Sequence, residues 1–308
     1  MTPSDLVDQI LREIDVDITQ NGARAVIRGH EIEQESSVLL KPVLGSAIYQ
    51  LLHCGRDELT GAGDRTADPH LVSALKSHVR EGTTPIPGRL VDTPALGAEF
   101  SAVRLDGVTI AVPNDRLQRG ASPGGLVTVR VPRVRESLSP GFLVVDGCAG
   151  SIHADDDIHR IYLRIESASL APPIWAQLLT ELDQNYRGRF RAKILSRSDE
   201  YPRNDALVVY LPYLDETLLC AVAALPLDSD TGGSVFCRPL AAGVGYAREP
   251  ADLASRGISF GQHRSQVIAD TLVDHHTDTT VLVRQALCDA LIAADIDPAA
   301  PWQGHGAR

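Results

Sequence analysis

Lysine is scarce in this chain: of the 29 cationic residues only Lys41, Lys76 and Lys193 are lysines, and the rest are arginines. Long apolar runs are absent too, and nothing approaches the roughly 20 residues that a membrane span needs. The opening residues Met1-Thr2-Pro3-Ser4-Asp5 lack the basic and apolar segments of a signal peptide, so a cytoplasmic protein with no membrane partner is expected. Five cysteines, Cys54, Cys148, Cys220, Cys237 and Cys288, are odd in number and widely spaced. With no Cys-x-x-Cys pair they suggest neither a disulfide framework nor a zinc knuckle, and they read as small buried hydrophobes. Walker, Rossmann and Gly-x-Ser-x-Gly motifs are also missing, and no cofactor or metal is expected. His275-His276 beside Asp274 does not change this, because consecutive residues at a helix end point apart.

What is present is an ordinary globular composition, 44% apolar and 22% charged over 308 residues, with net charge -11. That length accommodates two domains. Leu6, Ile10 and Ile14 recur at helical steps after Ser4, a possible cap. Leu44, Ile48, Leu51 and Leu52 form a second stripe after Pro42; Leu71, Ala74, Leu75 and His78 form a third, with Asp68 as cap and Pro69 in the first turn. From about Phe100 the period becomes two. Asp106-Gly107 joins two alternating runs as a hairpin, and Pro123-Gly124 and Pro140-Gly141 introduce strands at 126–131 and 142–145. These read as one small antiparallel sheet. Polar residues 148–157 are the expected boundary, giving an N-terminal region 1–150, helical with a small sheet, and a second domain 151–308.

The second half reads as a strand at 158–165, a helix opened by Pro172-Pro173, the Lys193 strand, a turn at 201–205 and a strand at 206–211. A helix at 214–225, a turn at Gly232-Gly233, an irregular Gly-rich loop at 237–245 and helices at 260–273 and 280–294 follow. Strands and helices mix without strict alternation, which predicts an α+β fold.

Arg cannot serve as a base in a protein, whereas Lys can if burial or nearby cations depress its ionisation from about 10.4 towards neutrality. Lys193 lies in Phe190-Arg191-Ala192-Lys193-Ile194-Leu195, where strand alternation puts Arg191 on its face. Arg187, Arg189, Arg191, Lys193, Arg197 and Arg203 face only Asp199 and Glu200 in that stretch. Such a focused cationic cluster suits a small anion such as phosphate or carboxylate; an acidic chain is a poor generic partner for nucleic acid. The bland alternative is a strand lysine with no role. His263 and Arg264, at the start of a helix after Ser259, make a second candidate anion site, and Arg238 with Gly243-Val244-Gly245 a third.

Tyr162-Leu163-Arg164, the Lys193 strand, Tyr201-Pro202-Arg203-Asn204-Asp205, Arg238 to Gly245 and Ser259 to Arg264, with Pro140-Gly141-Phe142 ahead of them, resemble the HopA family across roughly Leu90 to Trp302. That family includes a secreted effector of plant pathogens and homologues encoded in actinobacterial clusters for ribosomally made, modified peptides. The resemblance implies a lyase domain and chemistry related to OspF- and SpvC-type phosphothreonine lyases. A separate phosphotransferase-like kinase would phosphorylate Ser or Thr of a precursor peptide, and this protein would eliminate the phosphate to leave dehydroalanine or dehydrobutyrine, with a cyclase as a further candidate partner. Lys193 would then be the base, Tyr210 a hydrogen-bond donor, and Arg191, Arg203, Arg238 and Arg264 the phosphate ligands. Tyr162, Arg164 and Tyr201 would contact the peptide. The OspF-type enzymes keep a histidine acid on the strand before the base, where this chain reads Ile161-Tyr162-Leu163-Arg164-Ile165. His263 takes that role here, with Tyr162 or His159 as substitutes. The competing reading is a non-catalytic module that binds a phosphopeptide or leader peptide for a kinase or cyclase.

Overall fold

The computed structural model describes residues 3–20, 22–61, 66–92, 97–105, 107–119, 125–153, 156–227, 233–249 and 259–306. Asp106, Pro123-Gly124 and Gly232, expected in turns, lie outside them.

Helix α1 (Pro3–Glu13) takes in Ser4 and runs directly into a meander of β1 (Ile14–Thr19), β2 (Gly22–Ile27) and β3 (His30–Gln34) that the sequence reading did not anticipate. Ser36 caps α2 (Ser37–Ile48), accepting from the Leu39 N–H; Pro42 sits inside this helix, not ahead of it. The helix continues as a π-type turn, Tyr49–His53. Asp68 caps α3 (Pro69–Ser77) through the N–H groups of His70 and Leu71, as expected. A five-stranded sheet follows, built from β4 (Thr83–Leu90), β5 (Phe100–Leu105), β6 (Val108–Pro113), β7 (Leu117–Arg119) and β8 (Leu126–Pro132) in the order β6-β5-β4-β8-β7.

The centre of the molecule is a seven-stranded, wholly antiparallel sheet. Its strands are β9 (Val134–Arg135), β10 (Phe142–Asp146), β11 (His159–Ile165), β12 (Arg191–Leu195), β13 (Arg203–Leu211), β14 (Arg238–Ala241) and β15 (Val244–Arg248), in the order β14-β15-β11-β13-β12-β10-β9. The remaining helices are α4 (Ala171–Thr180), α5 (Glu216–Ala223), α6 (Phe260–Asp274) and α7 (Thr280–Ala293). The fold is α+β, as the mixture of periods predicts.

Three local expectations change. First, β10 does not belong to the small sheet: it pairs with β12, Val144 opposite Lys193, so the seven-stranded sheet spans the boundary expected near residue 150. Second, Arg203, Asn204 and Asp205 begin strand β13 instead of forming a turn. Third, the expected irregular loop at 237–245 is the β14–β15 hairpin, in which Gly243 supplies a left-handed φ of 66° and Pro239 is tolerated because β14 is an edge strand.

Each face of the large sheet has its own core. Leu143, Val145, Ile161, Leu163, Ala192, Ile194, Leu207 and Val209 cluster with Leu75 of α3, Trp175 and Leu178 of α4, and Leu218 and Val222 of α5. On the opposite face, Tyr162, Val208 and Ala247 cluster with Leu44, Ile48 and Leu51, with Phe260 and Ile268 of α6, and with α1, α7 and the meander. The N-terminal helices are thus part of the body that carries the Lys193 strand.

Arg133 joins the layers. It is 1% exposed, donates from Nε to the Asp146 carbonyl at 2.9 Å, and grips Asp183, beyond α4, through Nη1 at 2.9 Å and Nη2 at 2.7 Å. Arg133→Met strands a half-buried carboxylate and is expected to lower the unfolding free energy in urea by about 3–5 kcal/mol. Adding Asp183→Leu is expected to recover roughly half of that or more, because no unpaired charge then remains.

His53 sits in the other core, 2% exposed, its Nδ1 2.7 Å from the Ser234 hydroxyl and its ring 5.4–6.0 Å from those of Tyr49, Tyr162, Phe236 and Phe260. The first turn of α6 approaches it closely: a Cβ on Gly261 would lie 2.3 Å from the imidazole. Burial pushes the His53 ionisation from 6.5 down to about 4. Because the folded value is depressed, the unfolded chain takes up the proton first, so this contribution is whole above about pH 6.5 and is lost as pH falls towards 4. The loss amounts to about 3 kcal/mol, from ~1.4 kcal/mol per pH unit. Urea titrations of wild type and His53→Gln between pH 7 and pH 4 are expected to show a much shallower fall for the variant.

Candidate active site

Alternation along β12 sends Ala192 and Ile194 into one core and Arg191 and Lys193 to the other face of the sheet. Lys193 Nζ rests 4.4 Å from the centroid of the Phe142 ring and 5.8 Å from that of Tyr210. Among the described residues it makes no ion pair and no hydrogen bond, although its charge helps to hold the nearby Asp205 carboxyl down. It faces an open cleft of about 460 Å³, walled by Tyr49, Cys54 and Arg56 from the end of α2, the turn 139–142, Arg197, Glu200 and Arg203, and Ser259 and Gln262 of α6.

The floor of the cleft is a charged network. Arg203 donates to Asp205 from Nε at 2.7 Å and Nη2 at 2.8 Å, to Glu200 from Nη1 at 2.7 Å, and has the Tyr49 hydroxyl and Cys54 sulfur each 3.3 Å from Nη2. Burial opposes charge on Asp205, but the Arg203 guanidinium outweighs it and holds the carboxyl well below the usual range. Burial pushes the Tyr49 hydroxyl up and the Cys54 thiol up to about 12, so both stay protonated. Arg56 pairs with Glu200 and donates to the Thr60 hydroxyl at 3.0 Å; Arg197 pairs with Asp199 through bonds of 3.0 and 2.5 Å. Glu200, Asp199 and Asp205 therefore pair with Arg56, Arg197 and Arg203, and Lys193 is the cation of the cleft without a direct ion pair among the described residues.

The register places two rows side by side on this face: Arg160, Tyr210, Arg191 and Asp146 across four strands, then Tyr162, Val208, Lys193 and Val144. Arg191 does share the face of Lys193, but it makes bonds of 2.7 and 3.2 Å to Asp146, so the repulsion it was expected to exert on Lys193 is offset. The ring of Tyr210 lies between, with the guanidinium carbon of Arg160 5.0 Å from its centroid. Arg160, which alternation with Tyr162 and Arg164 put on this face, was not singled out from the sequence; it pairs with Glu249 and reaches the Tyr162 hydroxyl at 3.4 Å.

Arg203 lines the cleft, although its fork already holds carboxylates. Tyr201 donates to the Leu195 carbonyl at 2.9 Å, and Arg164 is tied to Glu166 and Asn204. The remaining expected residues lie elsewhere. Tyr162 is 4% exposed in the core beneath α2 and α6 and is out of a peptide's reach. Arg264 is wholly buried: it donates to the carbonyls of Pro301 at 2.6 Å and Phe260 at 3.3 Å, and burial pushes it down to about 9. Helical spacing is the reason, since Phe260, Gly261, Arg264 and Ser265 face the core while the capping pair Ser259 and Gln262 turns to the cleft. His263 follows that pair without lining the cleft. Arg238 is exposed on edge strand β14, four strand spacings or roughly 19 Å from β12. His159 points with Ile161 to the other face and bonds the Tyr246 hydroxyl at 2.9 Å. Among the described residues no cluster of His, Cys, Asp and Glu is arranged to hold a metal, and no helix is long and apolar enough to cross a membrane.

Two effector structures resemble the chain, each at 15% identity. One, from Pseudomonas syringae pv. tomato strain DC3000, covers 55% of this chain and 66% of its own, with a TM-score of 0.41. The other, from Pseudomonas syringae pv. syringae strain 61, covers 88% and 98%, with a TM-score of 0.43. No curated protein matches. The HopA1 effector protein family matches residues 133–302, which begin just after β8 and take in every strand of the seven-stranded sheet. With more than half of its length matched, the chain belongs to the HopA1 effector protein family.

Proposed function

We propose that the Lys193 cleft is the active site of a phosphoserine/phosphothreonine lyase that acts on a kinase-phosphorylated precursor peptide and leaves dehydroalanine or dehydrobutyrine, the dehydration step of lanthipeptide or thioamitide biosynthesis. The observation that carries this reading is a lysine with no ion pair among the described residues, lodged on an aromatic ring inside a cleft whose other cations are arginines. β-Elimination needs such a division of labour. The neutral amine of Lys193 takes the α-proton, the released electron pair forms the Cα–Cβ double bond, and the Cβ–O bond breaks with its electrons going to phosphate. Arg56, Arg197 and Arg203 offer guanidinium donors for the oxygens that gain charge. The proton gained by Lys193 can pass to the departing phosphate, so the balance closes without a histidine. A kinase supplies the phosphate ester, and a cyclase would consume the alkene.

The second reading, a non-catalytic phosphopeptide- or leader-binding module, is favoured by two observations: Arg203 is already engaged by Asp205 and Glu200, and among the described residues no histidine lines the cleft. Purified protein incubated with the phosphorylated precursor separates the two. The lyase reading expects release of inorganic phosphate with a matching loss of phosphoric acid from the peptide mass, and a fall of at least about 10²-fold for Lys193→Met with an unchanged thermal midpoint. Phosphopeptide binding without any mass loss supports the module instead, and full activity in Lys193→Met removes Lys193 as the base.

A further inference from the structure

A second groove, about 380 Å³, opens on the far side of Phe142. Its walls are Ala67 just ahead of α3, Pro69, Val72 and Ser73 of α3, Phe142 and Leu143 from β10, and Ser196. It is distinct from the Lys193 cleft, yet the two share a wall: Phe142, whose ring carries Lys193 at 4.4 Å, also lines this groove, and Ser196 lies between Leu195 and Arg197, both of which line the cleft. The partition is held in place from below, because the Asp68 N–H donates to the Ser196 carbonyl at 2.8 Å and the Ser196 N–H donates to the Gly141 carbonyl at 3.0 Å.

The chemistry of the groove contrasts with that of the cleft. Guanidinium and carboxylate groups line the cleft, whereas Ala67, Pro69, Val72, Phe142 and Leu143 make the groove apolar. Its two charged residues, Lys76 and Glu136, are about half exposed and paired with each other at 2.8 Å, so no unanswered charge meets an apolar occupant. An extended peptide advances about 3.3–3.6 Å per residue. A chain anchored by a phosphorylated residue at Lys193 carries its second or third neighbour roughly 7–10 Å along, enough to pass one side chain such as Phe142, which lines both the cleft and the groove.

We propose that this groove is a specificity subsite that takes an apolar side chain two or three residues from the phosphorylated Ser or Thr. The proposal rests on the lyase reading for what occupies the cleft, but not for whether the groove binds.

Two measurements on the full chain test it. In the first, fluorescein-labelled phosphopeptides with Leu, Gly or Asp at each position from three before to three after the phosphothreonine are titrated by anisotropy. One or two positions at a distance of two or three residues are expected to favour Leu over Asp by about 10- to 100-fold. Val72→Asp is expected to remove that preference, and its effect should shrink to less than about threefold for the peptide that already carries Gly there, as coupled contacts require. In the second, phosphate release is followed with the same peptides, and the preference should appear in KM more than in kcat. A binding preference without phosphate release leaves the subsite standing and overturns the lyase reading. The subsite is overturned if no position favours Leu, or if Val72→Asp weakens the Leu, Gly and Asp peptides alike.

Discussion

A buried ion pair, Arg203 with Asp205, fixes the geometry on which the cleft depends. Both residues sit at the start of β13, and both are less than a tenth exposed. Taking such charges out of water is costly, and a pair of this kind persists because each remaining donor and acceptor finds a partner. Here those partners come from distant parts of the chain: Tyr49 and Cys54 from the end of α2, and Glu200 from the short turn before β13. Glu200 passes the constraint on to Arg56, and the Asn204 side chain donates to the His53 carbonyl at 3.0 Å. The N-terminal region is thereby clamped to the central strand, and the two walls of the cleft cannot separate without exposing a charge that has no other partner.

The same network decides what the cleft attracts. Three arginines would make a generic anion trap, but each is already matched by a carboxylate, and Lys193 is left without a direct ion pair among the described residues. On this face of the sheet the apolar cover of α2 and α6 reaches as far as Tyr162 and Val208 and then stops; Lys193 is the next residue along that row. Its ammonium end is placed at the border between core and cleft, resting on Phe142 and Tyr210 in place of a carboxylate.

The sequence carries the periods, and periods are local. The Lys193 strand, the α3 cap at Asp68, the start of α6 and the pairing of faces along β12 all follow from spacing within a few residues. Applied strictly, the same spacing also puts Arg264 with Phe260 on the core side of α6, which is where it lies. Contacts fixed by register or by long loops are different in kind. That Asp146 would meet Arg191 depends on how β10 pairs with β12, and a shift of one residue would send Asp146 to the other face. That Tyr49, Cys54 and Arg56 wall the cleft depends on a helix about 150 residues before the strand it meets. The N-terminal meander had a readable sign in Asn21-Gly22 between alternating runs, whereas the short β14, containing a proline, had none.

Base and phosphate ligand make opposite demands on a lysine, because a phosphate dianion nearby favours the ammonium and proton abstraction requires the amine. If Lys193 were the main counter-charge of the phosphate, binding would disarm it. On the proposed lyase reading, the arginines of the cleft, which cannot lose their protons, are the groups that would hold the anion. For them to do so, the phosphate must take the place of a carboxylate, and Glu200 is the one positioned for exchange: it lines the cleft, touches Arg56 and Arg203, and is half-buried, whereas Asp205 is enclosed. The dianion would then find its charge met along the Arg56–Arg203 side of the cleft, with Lys193 left to face the α-carbon.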